Sequence, residues 1–228
     1  MSLRVAMVGA TGAVGGHALA ALLADPRVGH VTVLGRRPTG RAHPKLRERI
    51  VAMDDAAALA EAVPDADAAL STLGVGEPSA ADAATFRRVD HDLPLAFARA
   101  ARARGARHFT SLGSIGAGAR GMGGFLRTKG ELERAIGALG FEGVSLLRPS
   151  MILTPENRYG ASQAATLWLW PRLAPVLRGP LLPLRGIPVE RLGRAAAAAT
   201  AGMAPGVAVL RWPELDRLAD EVPPPSAR

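Results

Sequence analysis

The feature that most constrains this chain is a run of glycines near its amino terminus, GATGAVG at residues 9–15. The run follows a short apolar segment, residues 3–8, and precedes an alanine- and leucine-rich segment, 16–24, typical of a helix. A strand, a glycine turn and a helix in this order direct backbone N–H groups toward a phosphate. We therefore predict a cradle for the pyrophosphate of a dinucleotide, formed by Gly9, Thr11, Gly12, Ala13, Val14 and Gly15.

Strand-like and helix-like segments alternate beyond the glycine run in units of about 30 residues, a pattern that indicates a parallel sheet with helices on both faces. Strands are predicted at 3–8, 30–34, 50–53, 67–73, 107–112, 144–147 and 207–210. After the first helix, helices are predicted from about 55 to 63, over 79–104 with a kink at Pro94, and over 125–139, 189–202 and 213–220. The predicted fold is α/β, a Rossmann-type doubly wound parallel sheet with a small C-terminal substrate-covering part. We expect residues 1–154 to form this NAD(P)-binding core, 155–222 to pack on it and 223–228 to be a disordered tail.

The residues that follow the second predicted strand bear on the type of dinucleotide. An acidic residue there would bind the ribose hydroxyls of NAD and repel a 2′-phosphate, but the chain has Arg36 and Arg37. A guanidinium matches a phosphate bidentately, so we expect NADP, with NAD the weaker alternative. The other interpretation is that both arginines are solvated loop charges. Asp54 is expected to accept from the adenine amino group, and Ser71, Thr72, Leu73 and Gly74 to pass beneath the ribose.

Several segments together resemble the atypical short-chain dehydrogenases/reductases, in particular the Tat-interacting-protein-like and NmrA-like oxidoreductases. They are GATGAVG (9–15), VTVLGRR (31–37), STLG (71–74), FRRVDHDLPLAFARAA (86–101), ARHFTSLGSIGA (106–117), RTKGELE (127–133) and LLRPSMIL (146–153). The resemblance implies a catalytic serine at Ser114 and a lysine at Lys129 that orients the nicotinamide ribose. It also implies that Pro149, Ser150 and Met151 lie at the cofactor.

Members of this family carry a tyrosine four residues before the lysine, where this chain has Phe125. Phenylalanine keeps the ring and loses the proton that a tyrosine hydroxyl exchanges during hydride transfer. Two hypotheses follow: an NADP(H)-dependent oxidoreductase for a small carbonyl or alcohol, or a non-catalytic redox sensor or assembly and regulatory protein. Other candidates are Tyr159, which more simply packs or faces solvent, and His91 and Asp92, which more simply lie on a solvated helix face. Trp168 and Trp170 are expected to serve mainly in packing.

The formal net charge of +8 comes almost entirely from arginine, since the only lysines are Lys45 and Lys129. These arginines are dispersed and lack interleaved aromatic residues, so we expect no specific nucleic-acid binding. No cysteine is present, which excludes disulfides and thiolate metal sites, and we expect no metal. The apolar stretch 167–184 is interrupted by prolines and arginines, so we expect no membrane span, and with no leader apparent we expect a cytoplasmic location. The substrate is not identified by the sequence, and a homo-oligomer remains open.

Overall fold

A computed structural model describes residues 2–53, 55–76, 81–119, 121, 123–155 and 176–222. Seven strands form one sheet in the order β3-β2-β1-β4-β5-β6-β9, and β7 and β8 form a small second sheet. The strands are β1 Leu3–Val8, β2 Val28–Gly35, β3 Leu46–Ile50, β4 Ala68–Ser71, β5 His108–Leu112, β6 Gly143–Leu147, β7 Met151–Leu153, β8 Gly186–Pro188 and β9 Gly206–Leu210. The helices are α1 Ala13–Ala24, α2 Ala56–Ala62, α3 Ala83–Arg87, a π-helical turn Arg88–Asp92, α4 Leu93–Ala103, α5 Gly123–Gly137, a 3₁₀ turn Gly179–Leu184, α6 Val189–Gly202 and α7 Trp212–Leu218.

Every neighbouring pair of strands in the large sheet is parallel, which confirms the predicted Rossmann-type architecture. The central strands are buried and apolar, as expected for a sheet that helices cover on both faces. The strand order reverses at β1, which lies between β2 and β4. A crevice opens at the carboxyl ends of the strands where such a reversal occurs. Residues that follow β1 and β4 therefore meet at one edge of the sheet.

Two buried apolar clusters hold the layers together. One joins α1, α6 and α7 to the sheet, and the other joins α2, α4 and α5 to the opposite face. Helix α6 approaches α1 closely at Gly193, where a Cβ atom would lie 2.4 Å from Cβ of His17. Residues 195–199 of α6 are alanines, all of them buried, so two helix backbones can approach closely along this contact. Helix α6 thus packs along the helix that begins at the glycine run.

The carboxyl-terminal segment differs in part from the predicted organisation. Strand β9 pairs with β6 as the seventh strand of the large sheet, and α6 packs against α1. These elements therefore belong to the sheet and its helical layer, whereas the predicted division at residue 154 placed them in a substrate-covering part. A five-residue apolar strand carries no local signal of the sheet that it will join. Residues 156–175 and the tail 223–228 lie outside the described residues.

Two other elements differ from the sequence prediction. Strand β3 covers Leu46–Ile50 rather than 50–53, and as the outermost strand it buries only Leu46. Such a charged edge strand has no apolar alternation by which it could be recognised. The single helix predicted over 79–104 is α3, the π-helical turn and α4. Pro94, which has no N–H and whose ring crowds the preceding turn, lies in the first turn of α4, so the helix widens before it.

Candidate cofactor site

The glycine run forms the turn between β1 and α1. Gly9 follows β1 with a φ of +84°, and its carbonyl accepts from Gly12 N–H at 3.0 Å. A Cβ atom on Gly9 would lie 2.6 Å from Thr72 Oγ1, and one on Gly15 would lie 2.0 Å from Gly9 O. Neither position has room for a side chain. These two glycines therefore allow the turn to pack against α1 and against the residue that follows β4.

Gly12 has a different role. It caps the amino terminus of α1 in an extended conformation and, having no side chain, makes no side-chain capping bond to the first N–H groups of the helix. A Cβ atom on Gly12 would contact Gly9 O at 3.2 Å and otherwise point into the cleft that Gly12 lines. The first turn of α1 contains no acidic residue that would repel an anion. Free N–H groups beside open space fit a pyrophosphate held at a helix amino terminus.

A cleft of about 700 Å³ extends from Gly12 across the carboxyl ends of β4, β5 and β6. From the predicted set it is lined by Gly12, Ala13, Val14, Thr72, Leu73, Gly74, Ser114, Lys129, Pro149, Ser150 and Met151. Backbone hydrogen bonds connect the loops that follow β5 and β6, from Gly113 N to Leu147 O at 2.8 Å and from Ile115 N to Pro149 O at 2.9 Å. The sheet therefore gathers residues from distant parts of the sequence around one cavity.

Lys129 projects from α5 into this cleft and is 5% exposed. Its Nζ lies 2.7 Å from Oδ1 of Asp90 in the π-helical turn, and it also donates to Leu112 O at 3.4 Å. The other carboxylate oxygen of Asp90 accepts from Val75 N–H at 2.7 Å. Asp90 is 1% exposed, so both charges of the pair are buried. One carboxylate thus connects α5, the π-helical turn and the loop that follows β4.

Ser114 and Phe125 complete the part of the cleft around Lys129. The Ser114 hydroxyl donates to Ile115 O over 3.3 Å, a weak bond that a ligand oxygen could replace. Phe125 lies one helical turn before Lys129 and packs against Phe86 of α3, with ring centroids 5.3 Å apart and the ring planes tilted by 41°. Among the described lining residues the aromatic ring is therefore a phenyl group with no proton to exchange. Tyr159 lies outside the described residues.

A second ion pair holds the inward face of α5. Glu133, one turn after Lys129, is buried and pairs with Arg148 at the end of β6. A Cβ atom on Gly113 would lie 2.6 Å from Glu133 Oε1, so this glycine gives the carboxylate its space. On the inward face of α5, Lys129 and Glu133 at successive turns therefore each form an ion pair that includes a buried carboxylate. Removal of one partner from such a pair leaves a costly unpaired charge.

A second pocket of about 520 Å³ lies on the β2–β3 side and shares Leu73 with the cleft. Its walls are mostly apolar, and two arginines, Arg36 and Arg88, also line it: the full set is Arg36, Ile50, Val51, Ala52, Met53, Leu73, Arg88, Val89 and Leu93. Arg36 follows β2, and Arg88 begins the π-helical turn. No carboxylate lines the pocket within the described ranges.

Some of the residues predicted for the site line neither cavity, whereas some residues that were not predicted do line one. Gly9 and Gly15 shape the turn, Ser71 is buried in β4, and Thr11 and Arg37 are exposed. Asp54 lies outside the described residues. His91 pairs with Asp92 at 2.8 Å, and neither lines the cleft. Arg88 and Asp90, which the sequence did not indicate, line the second pocket and the cleft respectively, because the π-helical geometry determines which residues of RVDHD face the cavities.

Known proteins similar to this chain also include a family that binds a nicotinamide dinucleotide. Residues 9–163 match the model of a family described as NAD(P)H-binding. Protein fmp52, mitochondrial, of Emericella nidulans is 34% identical over 154 residues, which cover 65% of this chain and 66% of that protein. The protein of the same name from Aspergillus clavatus is 32% identical over 171 residues, 72% of this chain and 73% of that protein.

Solved structures show the same fold at low identity. MoeE5 in complex with UDP-glucose and NAD has a TM-score of 0.67 and 18% identity, over 97% of this chain and 83% of that one. The Bordetella bronchiseptica enzyme WbmH in complex with NAD⁺ has a TM-score of 0.67 and 17% identity, over 92% and 76%. At such identities the similarity concerns the fold alone.

The relatives also correct one expectation. Their names contain the word mitochondrial, which contradicts the cytoplasmic location expected from the sequence, so that prediction is wrong. Within the described ranges, none of the helices has the length and apolar character needed to cross a membrane. The family match over residues 9–163, together with the parallel sheet, establishes that this chain belongs to the family described as NAD(P)H-binding.

Proposed function

We propose that this protein is an NADP(H)-dependent oxidoreductase that acts on a small carbonyl or alcohol. The observation that carries the proposal is the composition of the cleft. A phosphate cradle at Gly12 and a polar group formed by Ser114 and Lys129 lie along one cavity at the switch point of the sheet. Such an arrangement suits a long ligand whose phosphates bind at one end and whose reactive ring lies at the other.

The cofactor, when bound, supplies or accepts the hydride. In this proposal the Ser114 hydroxyl donates to the substrate oxygen and polarises the carbonyl. The Lys129 ammonium donates to hydroxyls of the nicotinamide ribose and so orients it. Because Phe125 has no exchangeable proton, water or another group must supply the proton that a reduced carbonyl oxygen requires.

Positive charge at the second pocket favours NADP over NAD. Arg36 lines an apolar pocket of a size that suits adenosine, and Arg37 is adjacent in the chain. Arg88, at the start of the π-helical turn, contributes a second guanidinium to that pocket. Guanidinium groups bind phosphate bidentately, and the pocket offers no carboxylate from the described residues to bind ribose hydroxyls instead. A 2′-phosphate therefore finds complementary charge there.

The test is the affinity for NADPH and NADH, measured by calorimetry. We expect NADPH to bind more tightly, and the Arg36→Ala, Arg37→Ala double variant to lose about tenfold or more of that preference, since charged hydrogen bonds contribute about 1.5–3 kcal/mol each. Arg87→Ala is the matched control, because Arg87 pairs at the surface with Glu131 and Asp92. Equal affinities in the wild type, or an unchanged preference in the double variant, would contradict the assignment.

One observation favours a second candidate function, a cofactor-binding redox sensor or regulatory protein without catalysis. The ring of Phe125 is packed against Phe86, so the position where the family resemblance implies a tyrosine proton donor serves here as an apolar wall. A protein that only reports which cofactor form is bound needs the cradle and Lys129 but no proton donor. Restoring the hydroxyl distinguishes the two candidates.

A further inference from the structure

We infer that Asp90 is a positioning residue of the cofactor site: it holds the Lys129 ammonium and the Gly74–Val75 backbone together as one receptor for the ribose. This inference rests on the proposed function, since it assigns a role to residues that surround the proposed cofactor. Its basis is nevertheless geometric. Asp90 has one oxygen on Lys129 Nζ and the other on Val75 N–H, each at 2.7 Å.

The number of donors on the ammonium shows what remains for a ligand. A lysine ammonium has three N–H bonds. Asp90 Oδ1 takes one at 2.7 Å, and Leu112 O takes a second at the longer distance of 3.4 Å. Among the contacts of the described residues this leaves one N–H free, and Lys129 lines the cleft. Asp90 therefore restricts the rotation of the ammonium and determines which donor faces the cavity.

The loop that follows β4 is part of the same arrangement. A Cβ atom on Gly74 would lie 3.3 Å from Asp90 Oδ1 and 3.8 Å from Lys129 Nζ, so the backbone here runs directly over the ion pair. The bond from Val75 N–H to Asp90 fixes the height of this loop above the pair. The sequence predicts that the ribose lies along 71–74. The ion pair therefore sets two surfaces of the ribose site at once.

The π-helical turn explains why Asp90, and not Asp92, reaches the pair. Leu93 N–H donates to Arg88 O, five residues earlier, in the wider turn that precedes Pro94. Within this turn Asp90 is buried at the cleft, whereas the side chain of Asp92 is 55% exposed and contacts His91 and Arg87. The two aspartates thus share a segment and a charge but differ in their surroundings. Asp92 is consequently a matched control for Asp90.

The test uses Asp90→Asn, which keeps the size of the side chain and an oxygen that can accept from Val75 N–H. Because the chain has only two lysines, ¹⁵N-lysine labelling gives two side-chain ammonium signals, and Lys45→Arg assigns them. Lys45, which donates to Asp25 O, serves as an internal reference. The measurements are the NADPH affinity by calorimetry and the response of each ammonium signal to NADPH, in the wild type, Asp90→Asn and Asp92→Asn.

We expect the Lys129 signal, and not that of Lys45, to shift when the wild type binds NADPH. We expect Asp90→Asn to broaden or remove the Lys129 signal in the free protein, because its protons lose the carboxylate that protects them from exchange, and to weaken NADPH binding about tenfold or more. Asp92→Asn should match the wild type in both measurements. The titration of the wild type needs only Lys45→Arg, to assign its two signals, and it still tests the inference if Asp90→Asn does not fold.

Two results would overturn the inference alone: NADPH binding by the wild type with no shift of the Lys129 signal, or unchanged binding and an unchanged Lys129 signal in folded Asp90→Asn. Failure of the wild type to bind either NADPH or NADH would overturn the proposed function and this inference together. The two failures are therefore distinguished by the wild-type titration.

Discussion

We expect the stability of this protein to depend on pH through one buried histidine, His108. His108 is the first residue of β5 and is 1% exposed, and its imidazole contacts Ser145 Oγ through Nε2 at 3.2 Å. Burial lowers its pKa from 6.5 to about 4, against a smaller opposing effect of the Ala204 backbone. Space for the ring exists because residue 143 is glycine: a Cβ atom there would lie 2.5 Å from His108 Nδ1. The folded protein thus strongly favours the neutral imidazole.

The sign of the effect follows from the protons bound in each state. Below pH 6.5 the unfolded chain protonates His108, whereas the folded chain keeps it neutral until the pH approaches 4. The contribution of His108 to the free energy of unfolding is therefore complete above pH 6.5 and is lost as the pH falls toward 4. The full difference in pKa corresponds to about 3 kcal/mol, of which about 2 kcal/mol is lost by pH 5.

Urea unfolding at pH 7 and pH 5, at one ionic strength, measures this loss. Wild type should lose about 2 kcal/mol more than His108→Gln, because the glutamine at residue 108 does not titrate and the other four histidines are common to both proteins. Carboxylates affect both proteins alike; Asp67, for example, has its pKa lowered by the hydrogen bond from Arg4, so that pair is lost only as the pH falls below 3.8. Equal losses of free energy in the two proteins between pH 7 and pH 5 would contradict this role of His108.

Two further predictions concern the site. Gly12→Ala should abolish NADPH binding and leave the far-ultraviolet circular dichroism unchanged, because the new methyl group points into the cleft. The control Gly16→Ala, whose Cβ would have an ordinary contact at 3.7 Å, should bind NADPH normally. Normal binding by Gly12→Ala would place the cradle elsewhere. Phe125→Tyr should raise NADPH consumption with small carbonyl substrates about 100- to 10,000-fold if only the proton donor is missing, which would favour the sensor, whereas substantial wild-type turnover that the change leaves unaffected would show that another group supplies the proton.

Local signals explain why much of the fold could be predicted from the sequence. The turn at Gly9–Gly15 has its strand and helix directly beside it, and α6 was predicted with its observed bounds because an alanine-rich run ends near glycine. Asp90 and Arg88 were missed for the opposite reason. Their positions depend on a π-helical turn before Pro94, and the partners that give them a role, Lys129 and Arg36, are about 40 to 50 residues away in the sequence. Such pairings arise from packing and leave no pattern in the chain itself.

The packing of α6 on α1 has a consequence for biosynthesis. Helix α1 leaves the ribosome among the first elements of the chain, yet Val14, Leu19 and Leu22 bury their side chains in a cluster that α6 completes. Of the described elements, only β9 and α7 are synthesised after residues 189–202. The apolar face of α1 therefore stays uncovered during most of translation. The turn that begins α1 gains its full support only once α6 has docked. The candidate site at the start of α1 is therefore completed late, and nascent chains shorter than about 200 residues expose an apolar surface that favours aggregation.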